Sequence, residues 1–273
     1  MHTSHTQLLG VIGKPIRHSM SPLIHGAAIE LAGIDFAYLA FEIDDAGEAI
    51  TAMRTLDIRG FSVTIPHKES IIEHLDELDV TAERMQSVNT VVNNDGVLKG
   101  YSTDGPGAVK ALEAGGVNLD GIDVLMIGTG GAARSVCFSL VDAGIKNIKF
   151  QAVEMDQKNK LAADLNNVRA GVATDFSTEP GLIINASPIG MHPNTDNVPI
   201  DLTQFPSKPA VFDVVYNPLE TKFLRTAKEL GCVTVDGVGM FSEQAALQFE
   251  LFTGHDAPRE LMNQKVREKL SEG

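Results

Sequence analysis

The chain has 273 residues, 43% of them hydrophobic and 21% charged, with no Trp and a formal net charge of −14. That length holds one large domain or two modest ones, and the composition excludes long disordered stretches. The acidity and the lack of any Lys/Arg run exclude a nucleic-acid partner; no apolar stretch approaches the roughly 20 residues that span a bilayer.

Met1 to Gln7 lacks a signal-peptide core, so a cytoplasmic location is expected. Cys137 and Cys232 are expected as two buried free thiols. In chain order, Leu8–Ile12 reads as a short strand ended by Gly13. Ser21-Pro22 has the form of an N-cap with proline at the first helical position, opening a helix to about Ala32 with Gly33 as its stop. A strand over Phe36–Ile43, a helix over Ala46–Leu56 and a strand over Gly60–Ile65, halted by Pro66, follow. Two helical stretches come next, Lys68–Leu75 and Val80–Met85. Asn89–Asn93 and Val97–Tyr101 flank Asn94-Asp95-Gly96, a hairpin signal. The second half is more regular: strand Asp123–Ile127, helix Gly131–Ala143, strand Asn147–Val153 and helix Asp156–Leu165. Strands Leu182–Asn185 and Ala210–Val214, helix Thr221–Leu230, strand Val233–Val235 and closing helices Met240–Phe252 and Pro258–Leu270 complete it. This alternation predicts βαβ units on a parallel sheet, two α/β units joined near Gly105–Leu112. Periodicity does not say where the closing helices pack.

Gly128-Thr129-Gly130-Gly131-Ala132-Ala133 follows a predicted strand and precedes a predicted helix. That is the context of a dinucleotide fingerprint. Gly128 allows the tight turn, Gly130 lets backbone approach a pyrophosphate, and Ala133 permits close helix–strand packing. The helix N-terminus then offers N–H groups to phosphate. Glu154 lies roughly 20 residues beyond the loop, where a carboxylate takes the ribose hydroxyls and repels a 2′-phosphate, with Asp156 as second candidate. NAD is therefore expected over NADP.

Three polar stretches in the first half each end a predicted strand: Gly13–Pro22, Ser62–Glu69 and Gly100–Gly105. Strand carboxyl ends are where open α/β sheets bind ligands. The motifs His18-Ser19-x-Ser21-Pro22, Val63-Thr64-Ile65-Pro66-His67-Lys68, Val88-Asn89-Thr90 and Thr103-Asp104-Gly105, together with the glycine loop, resemble the shikimate dehydrogenase family, including its quinate/shikimate branch. Asn185-Ala186-Ser187-Pro188-x-Gly190-Met191, Asp213–Pro218 and Asp236–Met240 with Gln244 are similar to it as well.

The resemblance implies two domains, an N-terminal α/β substrate domain (1–104 plus 240–273, the closing helices returning to it) and a Rossmann-like domain (105–239). It implies Lys68 and Asp104 as the catalytic pair. Ser19 and Ser21 would bind a substrate carboxylate, with Ser62, Thr64, Asn89, Thr103, Tyr216 and Gln244 around the ring. Gly128, Thr129, Gly130, Gly131, Ala132, Glu154, Ala186, Ser187, Val214 and Gly237 would hold the cofactor. The residue types suit the reaction: reducing a ketone needs hydride to carbon and a proton to oxygen, and a Lys68 ammonium held by Asp104 can supply the proton. His18 and His67 are read as loop residues rather than catalysts, and no metal-ligand spacing is present.

The chain departs from the family at three places. Ser62 and Ser102 stand where the family carries Asn, and serine cannot present a paired amide donor and acceptor. Val153-Glu154-Met155 stands where NADP-using members carry Asn-Arg-Thr. The leading reading is an NAD-preferring shikimate or quinate dehydrogenase acting on a small hydroxy acid, as a monomer or homodimer. Its alternatives are the NADP-dependent biosynthetic shikimate dehydrogenase and a non-catalytic sensor of a shikimate-like ligand. A folate-type methylene dehydrogenase has a similar two-domain layout, and the Ser19/Ser21 motif argues against it.

Overall fold

In the computed structural model, which describes residues 2–272, the described chain separates into two compact units. The first runs to Thr103 and takes in Gln244–Glu268; the second takes Asp104–Glu243 with the residues from Lys269 on.

The first unit carries β1 (Gln7–Gly13), β2 (Phe36–Glu42), β3 (Gly60–Val63), β4 (Glu77–Leu78), β5 (Thr90–Asn94) and β6 (Val97–Tyr101) in one sheet of order β2-β1-β3-β5-β6-β4. β1 pairs parallel with β2 and β3; β3–β5 and β5–β6 are antiparallel. The β5–β6 hairpin turns on Asp95 (φ 53°) and Gly96 (φ 93°), the two positive-φ positions of a type I′ turn. Helices α1 (Ser21–Ala32), α2 (Ala46–Thr55) and α3 (Val80–Met85) join the strands. β3 shows how pleat alternation sets up the site. Phe61 and Val63 enter a core with Ile12, Val91 and Leu98 and with Ile50 and Met53 of α2. Each such side chain contributes about 1.5–3 kcal/mol by leaving water. Gly60 and Ser62 point to the other face, and a Cβ on Gly60 would sit 2.3 Å from the Phe252 ring.

The second unit holds α4 (Asp104–Ala114) and the parallel strands β7 (Asp123–Ile127), β8 (Asn147–Gln151), β9 (Leu182–Asn185), β10 (Ala210–Asp213) and β11 (Thr234–Val235), in the order β11-β10-β9-β7-β8. Its helices are α5 (Gly131–Asp142), α6 (Met155–Val168) and α7 (Lys222–Leu230). Leu125, Ile127, Ile183 and Val211 of the sheet pack on Phe223, Leu224 and Ala227 of α7. The long α8 (Gly237–Thr253) starts in this unit and continues in the first from Gln244, followed by α9 (Arg259–Ser271). Among the described residues, no helix is long and apolar enough to cross a membrane.

Several local expectations need correction. Ser21 is the first residue of α1, not its cap: Met20 is the N-cap, and the Ser21 N–H donates to Ser19 Oγ (3.3 Å). Lys68–Leu75 is not an α-helix but turns ending in a 3-10 segment, Ile72–His74. The Lys68 carbonyl accepts from Val88 N (2.8 Å), and Ile72 N reaches back only to Glu69 O (3.2 Å). β8 ends at Gln151, short of Val153, because Gly128 turns β7 away and takes the Gln151 carbonyl as acceptor (3.0 Å). Both cysteines are free, yet only Cys137 is buried; Cys232 is partly exposed. α4 was not anticipated. Its Asp104-Gly105-Pro106-Gly107 start resembles a turn, but proline is tolerated in a first helical turn.

Gly105 is dictated by packing: a Cβ there would lie 2.2 Å from the Ser135 carbonyl oxygen and 2.2 Å from Ser139 Oγ of α5. The backbone of α5 cannot yield as a side chain tip would. Gly105→Ala is expected to cost roughly 1–3 kcal/mol, read as a lower urea midpoint with an unchanged m-value. An unchanged midpoint would show that α4 and α5 do not pack this closely.

Candidate active site

In the first unit, the loops after β1 and β3 meet because position 13 has no side chain. A Cβ on Gly13 would sit 2.4 Å from Thr64 Cγ2 and 3.0 Å from the Ile65 carbonyl oxygen. Backbone bonds Thr64 N→Ile12 O (3.0 Å) and Lys14 N→Ile65 O (3.0 Å) close the joint. The loop that leads from β1 to Ser19 and Ser21 is thereby joined at its start to the Thr64–Lys68 turn. Ser19 and Ser21 stand at the N-terminus of α1, where hydroxyls and helix dipole together favour an anion. His18 is exposed. His67 is buried, with Nε2 3.2 Å from the Ile43 carbonyl oxygen, which makes it a loop anchor.

The second cluster of this unit centres on Asn89, at the entry to β5. Its Oδ1 accepts from Thr103 N (2.8 Å) and Thr90 Oγ1 (2.9 Å), while its Nδ2 donates to Thr103 Oγ1 (2.9 Å) and lies 3.5 Å from Gln244 Oε1. Asn89, Thr103 and Gln244, distant in sequence, are thus brought together. Two residues that sequence reasoning passed over belong with them. Tyr38 of β2 donates to Ser62 Oγ (2.7 Å), and Ser62 donates to Gln248 Oε1 (2.7 Å). Burial drives the Tyr38 phenol upward, against hydrogen bonds with Ser62 and Ser21 that pull it down. Ser102 is buried beside this group in the chain, at the end of β6.

In the second unit, the strand order reverses between β7 and β9, a switch point of the doubly wound type. The glycine loop lies there. Gly128 has φ +103°, and a Cβ on it would sit 2.8 Å from the Ala186 carbonyl oxygen and 3.2 Å from Ser187 N. Gly128, Ala186 and Ser187 therefore share one crevice at the strand carboxyl ends. A Cβ on Gly130 or Gly131 would meet nothing within 4 Å, and Gly130 caps α5 without a side chain. These features fit a pyrophosphate over backbone N–H groups. Gly237 abuts the Val214 carbonyl oxygen, 2.3 Å from where its Cβ would be. Tyr216 packs against Phe241 at 5.3 Å, and burial raises its phenol. Asp104 opens α4 in this unit.

Glu154 is exposed at the N-cap of α6 and makes no capping hydrogen bond, so its carboxylate is not spent on its own helix. The glycine loop touches both ends of its segment: Gly128 N donates to Gln151 O, and Thr129 Oγ1 lies 3.5 Å from Gln157 Oε1. Val153 beside it is 93% exposed. Arg134 of α5 is committed to Asp164 (2.6 Å) and the Phe138 ring (5.0 Å). Among the described residues, no group of three or more His, Cys, Asp or Glu is placed to hold a metal ion.

The family-like Asn185 and Asp213 motifs turn out to brace the crevice. Asp213 accepts from Asn185 Nδ2 (2.9 Å), Thr221 Oγ1 (2.6 Å) and Val215 N (3.1 Å); Asn185 Oδ1 accepts from Ser187 Oγ (2.6 Å). The loops after β9 and β10 are tied together through one buried carboxylate. Burial pushes that carboxyl up to about 6, against the three donors, which pull it down.

A glycine loop at the switch point of a parallel sheet, with a second unit rich in hydroxyl and amide groups, defines a dinucleotide-dependent α/β oxidoreductase. Residues 11–91 match the shikimate dehydrogenase substrate binding domain, and residues 237–267 match the shikimate 5'-dehydrogenase C-terminal domain. The chain is 42% identical to the shikimate dehydrogenase (NADP(+)) of Bacillus cereus (strain B4264), over 97% of this chain and 99% of that one. It is similar to the solved shikimate 5-dehydrogenase of Listeria monocytogenes in complex with shikimate and NAD, with TM-score 0.91, 34% identity and coverage of 96% and 97% of the two chains. The quinate dehydrogenase of Corynebacterium glutamicum in complex with NAD gives TM-score 0.90 and 29% identity, covering 96% of this chain and 99% of that one. The chain belongs to the shikimate dehydrogenase family and is an NAD(P)-dependent oxidoreductase acting on a CH–OH group.

The Asp213 brace gives a pH signature. Its folded-state value of about 6 lies above the ordinary 3.8, so the folded chain holds this proton more tightly than the unfolded one. The associated stability is fully present below about pH 4 and is lost as pH rises through about 6. The loss is on the order of 3 kcal/mol. Urea unfolding from pH 4 to 7 is expected to show this falling component in the wild-type chain and not in Asp213→Asn, whatever the variant's absolute stability. Parallel pH profiles would refute a buried, raised Asp213.

Proposed function

We propose that the chain interconverts a shikimate-type ring hydroxy acid and its 3-dehydro ketone, with 3-dehydroshikimate/shikimate as the principal pair, quinate/3-dehydroquinate as its relative, and NAD as the preferred cofactor. Residues 1–104 with 240–273 take the ring acid, and residues 105–239 take the dinucleotide. Ser19 and Ser21 bind the carboxylate at the start of α1. Ser62, Thr64, Asn89, Thr103, Tyr216 and Gln244 hold the ring and its hydroxyls. The dinucleotide supplies or accepts the hydride. Lys68 as an ammonium protonates the oxygen of the ketone during reduction and takes the proton back during oxidation, with Asp104 orienting it. Gly128, Thr129, Gly130, Gly131 and Ala132 cradle the pyrophosphate; Ala186, Ser187, Val214 and Gly237 line its crevice.

The observation that carries the NAD assignment is Glu154, an exposed carboxylate free of any capping bond, on a segment hydrogen-bonded to the glycine loop. From Gln151 to Gln157 the segment has two acids and no Lys or Arg, so it favours ribose hydroxyls over a 2′-phosphate. Exposed Val153 offers apolar surface to an adenine ring. The NADP-dependent reading is favoured by the curated relatives from Bacillus and Syntrophomonas, which are named shikimate dehydrogenase (NADP(+)), and by a solved relative in complex with NADP+. A non-catalytic ligand sensor is disfavoured because Lys68 and Asp104 are both present.

Glu154→Ala is expected to raise the ratio of kcat/KM with NADP to that with NAD by about tenfold, less at high salt because the carboxylate is exposed. An unmoved ratio removes Glu154 as the selector. Lys68→Ala is expected to lower kcat by about 10²–10⁴ with the cofactor KM unchanged. Retained turnover would overturn the proton-transfer role.

A further inference from the structure

We propose that Gln248, one helical turn beyond Gln244 on α8, is a positioning residue of the substrate site. Its buried carboxamide fixes the direction of a hydrogen-bond relay from Tyr38 through Ser62 to Asn89, and it leaves Ser62 only a lone pair with which to meet a bound ring. The inference rests on the assignment of Asn89 and Ser62 to the ring-acid site.

The direction follows from one carbonyl. The Asn89 backbone oxygen can only accept, and it takes Val63 N (2.7 Å) and Gln248 Nε2 (3.0 Å). That orients the Gln248 amide: Nε2 also reaches Thr90 Oγ1 (3.0 Å), and Oε1 faces Ser62 Oγ at 2.7 Å. Ser62 must therefore donate its one proton to Gln248. Its remaining close partner, the Tyr38 hydroxyl at 2.7 Å, must donate to Ser62. Thr90 Oγ1, accepting from Gln248, donates onward to Asn89 Oδ1 (2.9 Å), which leaves Asn89 Nδ2 pointing to Thr103 and Gln244. Gln248 thus places the protons of Tyr38, Ser62 and Thr90, and Thr103 N, donating to Asn89 Oδ1 (2.8 Å), holds the Asn89 amide in the same sense.

The surroundings hold the relay rigid and dry. Ser62 is 4% exposed and Gln248 2%. The fully buried His25 ring lies flat on Tyr38, 4.3 Å between centroids and 1° between planes. It packs face to face on the ring whose hydroxyl donates to Ser62. Position 62 is where the family carries Asn, an amide able to donate and accept at once. Here the amide comes from α8 instead, and Ser62 faces a ligand as an obligate acceptor, suited to a ring hydroxyl rather than a ring carbonyl.

The test compares Gln248→Met, Gln248→Glu, Asn89→Ala and the double variant Ser62→Asn/Gln248→Ala, assayed with shikimate and NAD(P). Gln248→Met keeps the bulk and removes the relay; its shikimate KM is expected to rise about tenfold with kcat and cofactor KM nearly unchanged. Gln248→Glu donates to the Asn89 carbonyl only when protonated, so its shikimate KM relative to wild type should climb with pH. The double variant returns an amide to position 62 and should recover KM to within about threefold of wild type. A purely packing role would lower Tm but leave all three KM patterns flat. Should Gln248→Met fail to fold, the pH slope of Gln248→Glu and the rescue carry the decision. A raised KM in Asn89→Ala with wild-type KM in the Gln248 variants overturns this inference alone. An unmoved KM in Asn89→Ala overturns the assignment of the site itself.

Discussion

Each unit depends on one constraint: loops at strand carboxyl ends approach a backbone position more closely than a Cβ allows. A Cβ on Gly13 would lie 2.4 Å from the Thr64 methyl and 3.0 Å from the Ile65 carbonyl oxygen, and one on Gly128 would lie 2.8 Å from the Ala186 carbonyl oxygen. The first approach joins the start of the Lys14–Met20 loop to the Thr64–Lys68 turn. The second opens an uncapped helix N-terminus over the switch point of a parallel sheet. Gly105 applies the same rule inside the scaffold, letting α4 lie on α5. Close approach is made at all three positions by removing a side chain, and hydroxyls, amides and charges stand around the gaps.

Those glycines explain what could be read from the sequence. A residue needed for positive φ or close approach leaves a mark in the chain, so the dinucleotide loop, the Asp95-Gly96 hairpin and most strands were legible. What was not legible depends on distant partners. Lys68–Leu75 has a helical pattern, but Val88 takes the Lys68 carbonyl that an α-helix would have used. β8 stops two residues early because β7 leaves it at Gly128. Two-residue strands such as β4 exist only through their neighbours. Gln248 sits in an apolar helical run and reads as an unremarkable polar residue until Ser62, Thr90 and Asn89 are seen around it. Asn185 and Asp213 were recognised as family-like, yet their role as a brace appears only when their hydrogen bonds are traced.

Charge adds the last level. A chain of net charge −14 repels an anionic substrate at long range, so the anion must be won by local donors. The structure supplies these at helix starts: hydroxyls at α1, bare N–H groups at α5. At α6 the exposed Glu154 makes no capping bond to its own helix, and the proposed preference for NAD rests on that carboxylate.

The proposed reaction passes hydride between NAD and a shikimate-type ring acid. The most direct measurement is a four-way comparison of kcat/KM for the wild-type chain, shikimate and quinate each with NAD and NADP. Turnover of shikimate is expected, with NAD favoured over NADP. A clear NADP preference would contradict the reading of Glu154, and no turnover with either acid would contradict the assignment of the site.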